Sequence, residues 1–346
     1  MAEPDFWQQS QSWQSTALLP LSWLYGGLEA ANRLFTHAQH PGKPIICVGN
    51  LTVGGDGKTP TVQCLARHFA TQNKRPAILM RGYRAQLKHA TKIALPHHNA
   101  AQVGDEPLML AHEANVYIGA DRMASLRLAI ADGADIFIKD DGFQNPSMVH
   151  GFNLIVIDGV SGLGNARLLP AGPLRQPLHI ARQRIDAVLL INPPDSQMIH
   201  PSLPDFLQIC EADNIAVYYG RTQPKPIDLS GAVIGYCGIA KPKKFAASLA
   251  QAGLEIYKLH AFGDHHFFTE KQAQHLLDEA EKTALPLITT QKDKARLTSL
   301  QSAMGEKLAQ LSQVLEIELI IDNFTSLATH IDKALADKPR TKYTPY

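Results

Sequence analysis

The stretch Ile45-Ile46-Cys47-Val48-Gly49-Asn50-Leu51-Thr52-Val53-Gly54-Gly55-Asp56-Gly57-Lys58-Thr59 constrains this chain more than any other. It opens as a short apolar strand, passes through a glycine-rich turn, and ends in Lys-Thr at the start of a helix expected to reach about Ala70. That is the layout of a phosphate-binding loop. Glycines let the backbone curl so that its N–H groups point inward at phosphate oxygens, the lysine neutralises charge on the outer phosphates, and the hydroxyl ligates Mg²⁺. The strict pattern places a glycine five residues before Gly57, where this chain has Thr52; Gly54 and Gly55 supply the flexibility slightly later. The expected ligand is a nucleoside triphosphate held by Thr52, Val53, Gly54, Gly55, Asp56, Gly57, Lys58 and Thr59, with Thr59 also on the metal. The alternative is a glycine-rich turn that binds nothing.

With 346 residues the chain can bury a large core, and its length suggests two domains. A hydrophobic content of 45% against 19% charged residues excludes a disordered chain. The net charge of +1 argues against a nucleic-acid partner bound by bulk electrostatics. Cys47, Cys64, Cys210 and Cys237 form no CxxC pair and read as reduced residues of a cytosolic protein. Acidic residues precede the first apolar stretch, so no signal peptide is expected. From Pro20 to Phe35, Leu21, Leu24, Tyr25, Leu28, Ala31 and Phe35 recur at helical spacing, too briefly to span a bilayer. Phe6, Trp7, Trp13 and Trp23 add the aromatic bulk that settles at a lipid headgroup boundary. This helix either packs on its own domain or meets a membrane.

Strands alternate with helices along the rest of the chain, which predicts an α/β fold: a mostly parallel sheet flanked by helices, of phosphate-loop NTPase type, with a second, smaller α/β domain. The expected division is a helical amino-terminal region over 1–40, a kinase-like core over 41–220, a smaller domain over 226–336 and a frayed tail over 337–346. The proline-rich stretch from Pro201 to Pro226 marks the boundary. The strand Pro76–Met80 runs into Arg81-Gly82-Tyr83-Arg84, at the kind of strand end where open α/β sheets bind ligands, or else a surface turn. Asp105 and Glu106 stand just before an apolar helical run, as a cap and first-turn acid or as something more. Ile136-Phe137-Ile138-Lys139 ends in Asp140-Asp141-Gly142, an apolar strand delivering carboxylates to a metal, although Lys139 breaks the apolar run. A proline- and glycine-rich loop from Gly164 to Arg175 would present Arg167 and Arg175 to an anion or to solvent.

Asp264-His265-His266 lies far away in the second domain. Adjacent histidines on a strand face opposite ways, and no third ligand stands near at metal spacing, so zinc is not expected there. His265 in a cleft opposite Asp105 would make an acid/base pair able to take a proton from an acceptor hydroxyl; the alternative is a histidine packing between domains.

The run Val48-Gly49-Asn50-Leu51-Thr52-Val53-Gly54-Gly55 through Lys58-Thr59-Pro60 resembles the signature of the tetraacyldisaccharide 4′-kinases of lipid A biosynthesis. So do Arg81-Gly82-Tyr83, Gly104-Asp105-Glu106-Pro107, Asp140-Asp141-Gly142-Phe143-Gln144 and Arg167 through Arg175. Cys237-Gly238-Ile239-Ala240-Lys241-Pro242 and Asp264-His265-His266 match as well, while Gln291 departs from an expected Glu. The resemblance implies an enzyme that moves the γ-phosphate of ATP, with Mg²⁺, to the 4′-hydroxyl of a lipid-linked disaccharide 1-phosphate. It implies work at the cytoplasmic face of a bacterial inner membrane, on a lipid surface, by a peripheral protein that is a monomer. It assigns Lys58 to catalysis with Asp105 as base and His265 as its partner. Asp140, Asp141 and Glu106 become metal-side acids, and Arg81, Tyr83, Arg167 and Arg175 become candidates for substrate phosphate. Domain closure would bring His265 to the donor. The competing class is a phosphate-loop ATPase switch for metal delivery or membrane positioning, with no phosphorylated acceptor.

Overall fold

The computed structural model describes residues 4–54, 57–82, 85–87, 89–95, 97–193 and 200–336. Gly55, Asp56, Tyr83 and the expected tail over 337–346 lie outside them. The described residues form two compact units, each assembled from separated segments: 81–121 with 223–318, and 4–80 with 122–222 and 319–336.

The nucleotide-loop unit is built on strands β1 (Ile45–Gly49), β2 (Pro76–Met80), β3 (Ile136–Asp140), β4 (Phe152–Asp158), β5 (Ala187–Ile191) and β6 (Ala216–Pro224). They lie in the order β6-β5-β4-β1-β3-β2, and all these neighbours pair in parallel. Every residue of β1 to β5 is buried, the signature of a parallel sheet covered on both faces. The register Val48↔Asp140 brings the carboxyl end of β3 alongside that of β1, where the glycine loop begins. Beneath it Cys47, Leu51, Phe143, Ile155, Leu190 and Phe206 share one apolar cluster. Lys139, which interrupted the apolar run, is fully buried. Its Nζ lies 3.0 Å from His150 Nε2 and 3.4 Å from the Gly142 carbonyl, so the cation is folded under the Asp141–Gly142 turn. Burial pulls the Lys139 ammonium and the His150 imidazole below their ordinary ranges.

The other unit carries β7 (Gly231–Cys237), β8 (Leu254–Ala261), β9 (Leu287–Thr290) and β10 (Ser312–Leu315), a parallel sheet in the order β8-β7-β9-β10. Successive β7 residues alternate between faces as a strand requires. Val233 and Cys237 pack with Phe245 and Leu249, whereas Ile234 and Tyr236 pack with Leu276 and Leu277. The helix Asp105–Ala111 belongs to this unit, as does the short antiparallel pair Thr91–Lys92 with Asn115–Ile118.

One expectation needs correction. The domains are not the contiguous blocks 41–220 and 226–336, because residues 81–121 leave the first and residues 319–336 leave the second. Alternation of strands and helices says nothing about which sheet a segment joins. The boundary expected within Pro201 to Pro226 does fall there, between Thr222 and Gln223, but the stretch is structured: it contains the helix Ser202–Ala212 and all of β6. Its prolines occupy tolerated places, before the helix at Pro201, in its first turn at Pro204, and at the strand end at Pro224.

Gly57 caps the helix Lys58–Thr71 in a left-handed conformation at φ 100°, and a Cβ there would stand 1.8 Å from Ile191 Cδ1. Gly57→Ala is expected to lower the stability of the nucleotide-loop unit by about 1–3 kcal/mol, read as a lower denaturation midpoint.

Candidate active site

The donor half of the site forms at the carboxyl ends of β1 and β3. Lys58 and Thr59 open the helix after the glycine turn, so the helix amino terminus points its free N–H groups at whatever the loop holds. Asn50 Nδ2 donates to the Gly54 carbonyl at 2.9 Å and fixes the curl of the loop. Lys58 Nζ lies 3.2 Å from the Gly54 carbonyl and 4.0 Å from Asp141 Oδ2. Asp140 ends β3 and is buried; Asp141 follows at φ 47°, its N–H donating to the Val48 carbonyl at 3.0 Å. Arg175 Nη1 donates to both Asp141 oxygens, at 2.9 and 3.2 Å. Burial would raise the Asp141 carboxyl, but the cations of Lys58 and Arg175 outweigh it and hold it below the usual range.

The proline- and glycine-rich loop is a fixed one, stitched to the phosphate loop. Val53 N–H donates to the Pro173 carbonyl at 2.8 Å and Arg175 N–H to the Leu51 carbonyl at 2.9 Å, with a bridge between Thr52 and Leu174. The structure therefore gathers Lys58, Asp140, Asp141 and Arg175. Arg167 is turned elsewhere: its Nη1 reaches Ser15 Oγ at 3.0 Å and Thr16 Oγ1 at 3.3 Å. It lines an open cavity of about 700 Å³ with Gln11, Ser12, Trp13, Thr16 and Ala17. Arg81 is exposed just after β2.

The amino-terminal helix Leu19–Phe35 docks by its polar edge. Ser22 Oγ donates to the Leu168 carbonyl at 2.9 Å and Tyr25 Oη to the Arg175 carbonyl at 2.9 Å. Its apolar residues face outward: Leu21, Leu24 and Leu28 are exposed, Trp23 is 71% exposed and Phe35 83%. That inverts the arrangement of a helix packed on its own core.

In the other unit, a second constellation forms at the carboxyl ends of β7, β8 and β9. Gly104, at φ 92°, precedes the helix Asp105–Ala111, placing both Asp105 and Glu106 in its first turn. Neither acts as the cap: Asp105 Oδ1 accepts from the Glu106 N–H at 3.0 Å, and Glu106 Oε1 takes the ammonium of Lys292 at 2.5 Å. Arg296, 1% exposed, gives Nε to Asp105 Oδ2 at 2.7 Å and Nη2 to the same oxygen, with Nη1 going to Asp293 Oδ1 at 2.7 Å and to the Gly238 carbonyl. Asp293 is fully buried and also accepts from the Gly238 N–H at 2.9 Å and from Thr290 Oγ1 at 2.6 Å. Gly238 has no room for a side chain, since a Cβ would meet His266 Cβ at 2.9 Å and Asp293 Oδ1 at 3.1 Å. His265 stands at φ 57°, its N–H on the Gly238 carbonyl at 3.0 Å and its Nδ1 3.4 Å from Asp105 Oδ2. Asp105 and His265 are thus partners within one unit, not residues of two domains as expected from the chain order.

Burial would raise the Asp105 carboxyl; the hydrogen bond with His265 and the charges of Arg296 and Lys292 overcome it and hold Asp105 well below the usual carboxylate range. Asp293 is pushed the other way, because its burial exceeds what Arg296 and its hydrogen bonds return. Sequence reading missed Arg296, Lys292 and Asp293. The run Gln291-Lys292-Asp293-Lys294 was visible, and Thr290 with Asp293 has the spacing of a helix cap, but Arg296 and Asp105 are 191 positions apart.

The model of the tetraacyldisaccharide-1-P 4′-kinase family matches residues 14–336 of this chain. The chain belongs to that family. A tetraacyldisaccharide 4′-kinase of Nitrobacter winogradskyi is 37% identical over 340 residues, covering 97% of this chain and 98% of that protein. One from Bradyrhizobium sp. (strain ORS 278) is 42% identical over 301 residues, covering 86% and 88%. The crystal structure of LpxK from Aquifex aeolicus in complex with ATP shares the fold, with a TM-score of 0.71 at 24% identity over 93% of this chain and 99% of that one. In this family member the α/β architecture with a mostly parallel sheet is as the sequence predicts.

Arg296→Gln leaves Asp105 and Asp293 without their shared cation and is expected to cost about 3–5 kcal/mol, measured by denaturant unfolding. Asp105, whose folded-state carboxyl is depressed, contributes stability that is complete above its unfolded pKa and is lost as pH falls through the folded one. The stability difference between wild type and Asp105→Asn should therefore be constant at neutral pH and shrink below about pH 4.

Proposed function

We propose that this chain transfers the γ-phosphate of ATP to the 4′-hydroxyl of a tetraacylated disaccharide 1-phosphate. It is an ATP-dependent phosphotransferase by family, and the kinase reading stands above that of an ATPase switch. The observation that carries the chemistry is the pairing of Asp105 with His265 under the Arg296 guanidinium. A switch that only hydrolyses ATP needs no such acid/base pair.

Phosphoryl transfer asks for positioning and charge neutralisation more than covalent work by the protein. Backbone N–H groups at the start of the helix Lys58–Thr71 receive the phosphates, and Lys58 and Arg175 neutralise charge around them. The sugar oxygen attacks the γ-phosphorus, its proton passes to the acid/base pair, and ADP leaves with the electrons of the broken bridge bond. Asp105, held ionised by its cations, and His265, whose Nδ1 lies 3.4 Å from Asp105 Oδ2, together make the acid/base pair that takes the proton.

Mg²⁺ fits the donor set here: the Asp140 and Asp141 carboxylates at the end of β3 and the Thr59 hydroxyl at the start of the helix Lys58–Thr71 are hard oxygen ligands. When bound, the ion would neutralise charge on the transferring phosphoryl group. Asp140, in register with Val48 at the end of β1, is assigned to the metal side, and Glu106, paired with Lys292 in the other unit, is not. Arg167, in the cavity beside the amino-terminal helix, is assigned to the acceptor's phosphate.

The outward apolar face of Leu19–Phe35 supports peripheral binding to the inner-membrane surface, where an acyl-chain-bearing acceptor resides. Among the described residues no helix is long and apolar enough to cross a membrane.

Incubation of the purified chain with labelled ATP and the tetraacylated disaccharide 1-phosphate should give a doubly phosphorylated product. ATP hydrolysis with no labelled lipid would sink the kinase reading. Lys58→Ala should reduce turnover at least about a hundredfold with an unchanged melt. His265→Gln should lower kcat at least about a hundredfold with ATP binding unchanged; wild-type turnover in that variant would remove His265 from the acid/base pair. Replacing Trp23, Leu24 and Leu28 together by Ser should abolish co-sedimentation with anionic vesicles while leaving ATP binding intact.

A further inference from the structure

Away from the acid/base pair, the same unit assembles two imidazoles and a carboxylate on two rigid elements. His275 and Glu279 are four residues apart on the helix Glu270–Thr283 and so share a face. His260 lies on β8, the edge strand of the four-stranded sheet. A register shift between Ile256 and Lys258 interrupts the pairing of β8 with β7, and irregularities of this kind re-aim side chains. Beyond it Lys258 and His260, two positions apart, both reach Glu279.

The three donor atoms, one from each of His260, His275 and Glu279, lie within 4.8 Å of one another. His260 Nε2 is 2.6 Å from Glu279 Oε2, and His275 Nε2 is 3.9 Å from the same oxygen. Tetrahedral coordination with bonds of about 2.0–2.1 Å sets donors roughly 3.3–3.4 Å apart. One separation is shorter than this and the other longer, so small side-chain adjustments meet it; His275, whose side chain is 65% exposed, is free to make them. The hydrogen-bond partner of Glu279 Oε1 is the Lys258 ammonium, at 2.7 Å, which orients the carboxylate and leaves Oε2 as the single donor oxygen.

We propose that His260, His275 and Glu279 bind a divalent transition metal, with zinc as the best match and water in the fourth position. Two imidazoles and one carboxylate suit zinc and are poor for Mg²⁺, which prefers an all-oxygen octahedron. The ion ties His260 on the edge strand β8, five residues before His265, to the helix Glu270–Thr283. It therefore braces the root of the loop that carries the imidazole of the acid/base pair, without touching that pair.

The test is titration of the metal-free full chain with zinc chloride by calorimetry, and with cobalt chloride by visible absorption. Wild type should bind one equivalent of zinc, give the intense visible bands of four-coordinate cobalt, and melt at a higher temperature with zinc than without. His275→Ala, at an exposed position, should keep the metal-free melting temperature and weaken zinc at least tenfold; Glu279→Gln should weaken it as well. Millimolar Mg²⁺ should not compete. No zinc uptake by wild type, or wild-type affinity in both variants, overturns the assignment.

Discussion

The buried guanidinium of Arg296 is the contact on which the second unit's chemistry depends. It joins three carboxyl ends of one parallel sheet: Gly238 after β7, Asp293 after β9, and through Asp105 the His265 that follows β8. A buried cation with this many acceptors is stable only when all are present, because each lost partner leaves an uncompensated charge in a poorly solvated place. The same arrangement fixes protonation. Asp105 stays anionic beside His265 before any substrate arrives.

The first unit solves a related problem with different means. Its anion-binding power comes from backbone geometry: a buried strand, a left-handed glycine and a helix amino terminus. Its cations, Lys58 and Arg175, sit on Asp141, so charge is balanced around the loop without a ligand. Lys139 adds a third positive group beneath the turn, its charge weakened by burial, where it props Asp141 and Gly142 from below.

Much of this was legible in the chain. The glycine loop and its flanking elements were readable because each carries its own local signature: an apolar run, positive-φ residues, and a lysine at a helix start. The carboxylates at the end of β3 were readable for the same reason. Lys139 looked like a flaw in the apolar pattern, because its partner His150 lies outside the strand. The partnership of Asp105 with His265 could be guessed from chemistry, but not its confinement to one unit. Arg296 left no trace, since a single arginine in a polar helix looks like any solvated one. The orientation of the helix Leu19–Phe35 was also hidden. Helical periodicity marks an apolar face without saying which way it points, and only the docking of Ser22 and Tyr25 turns it outward.

The interleaved path of the backbone has a consequence for biosynthesis. Residues 319–336, which include the helix Phe324–Ala336, belong to the unit begun by residues 4–80. A nascent chain leaving the ribosome has its phosphate loop early and its last supporting pieces only after the whole second unit has been translated. During that interval the second unit receives its last residues, while the nucleotide half still lacks residues 319–336. Order of emergence and order of completion are therefore reversed in this molecule.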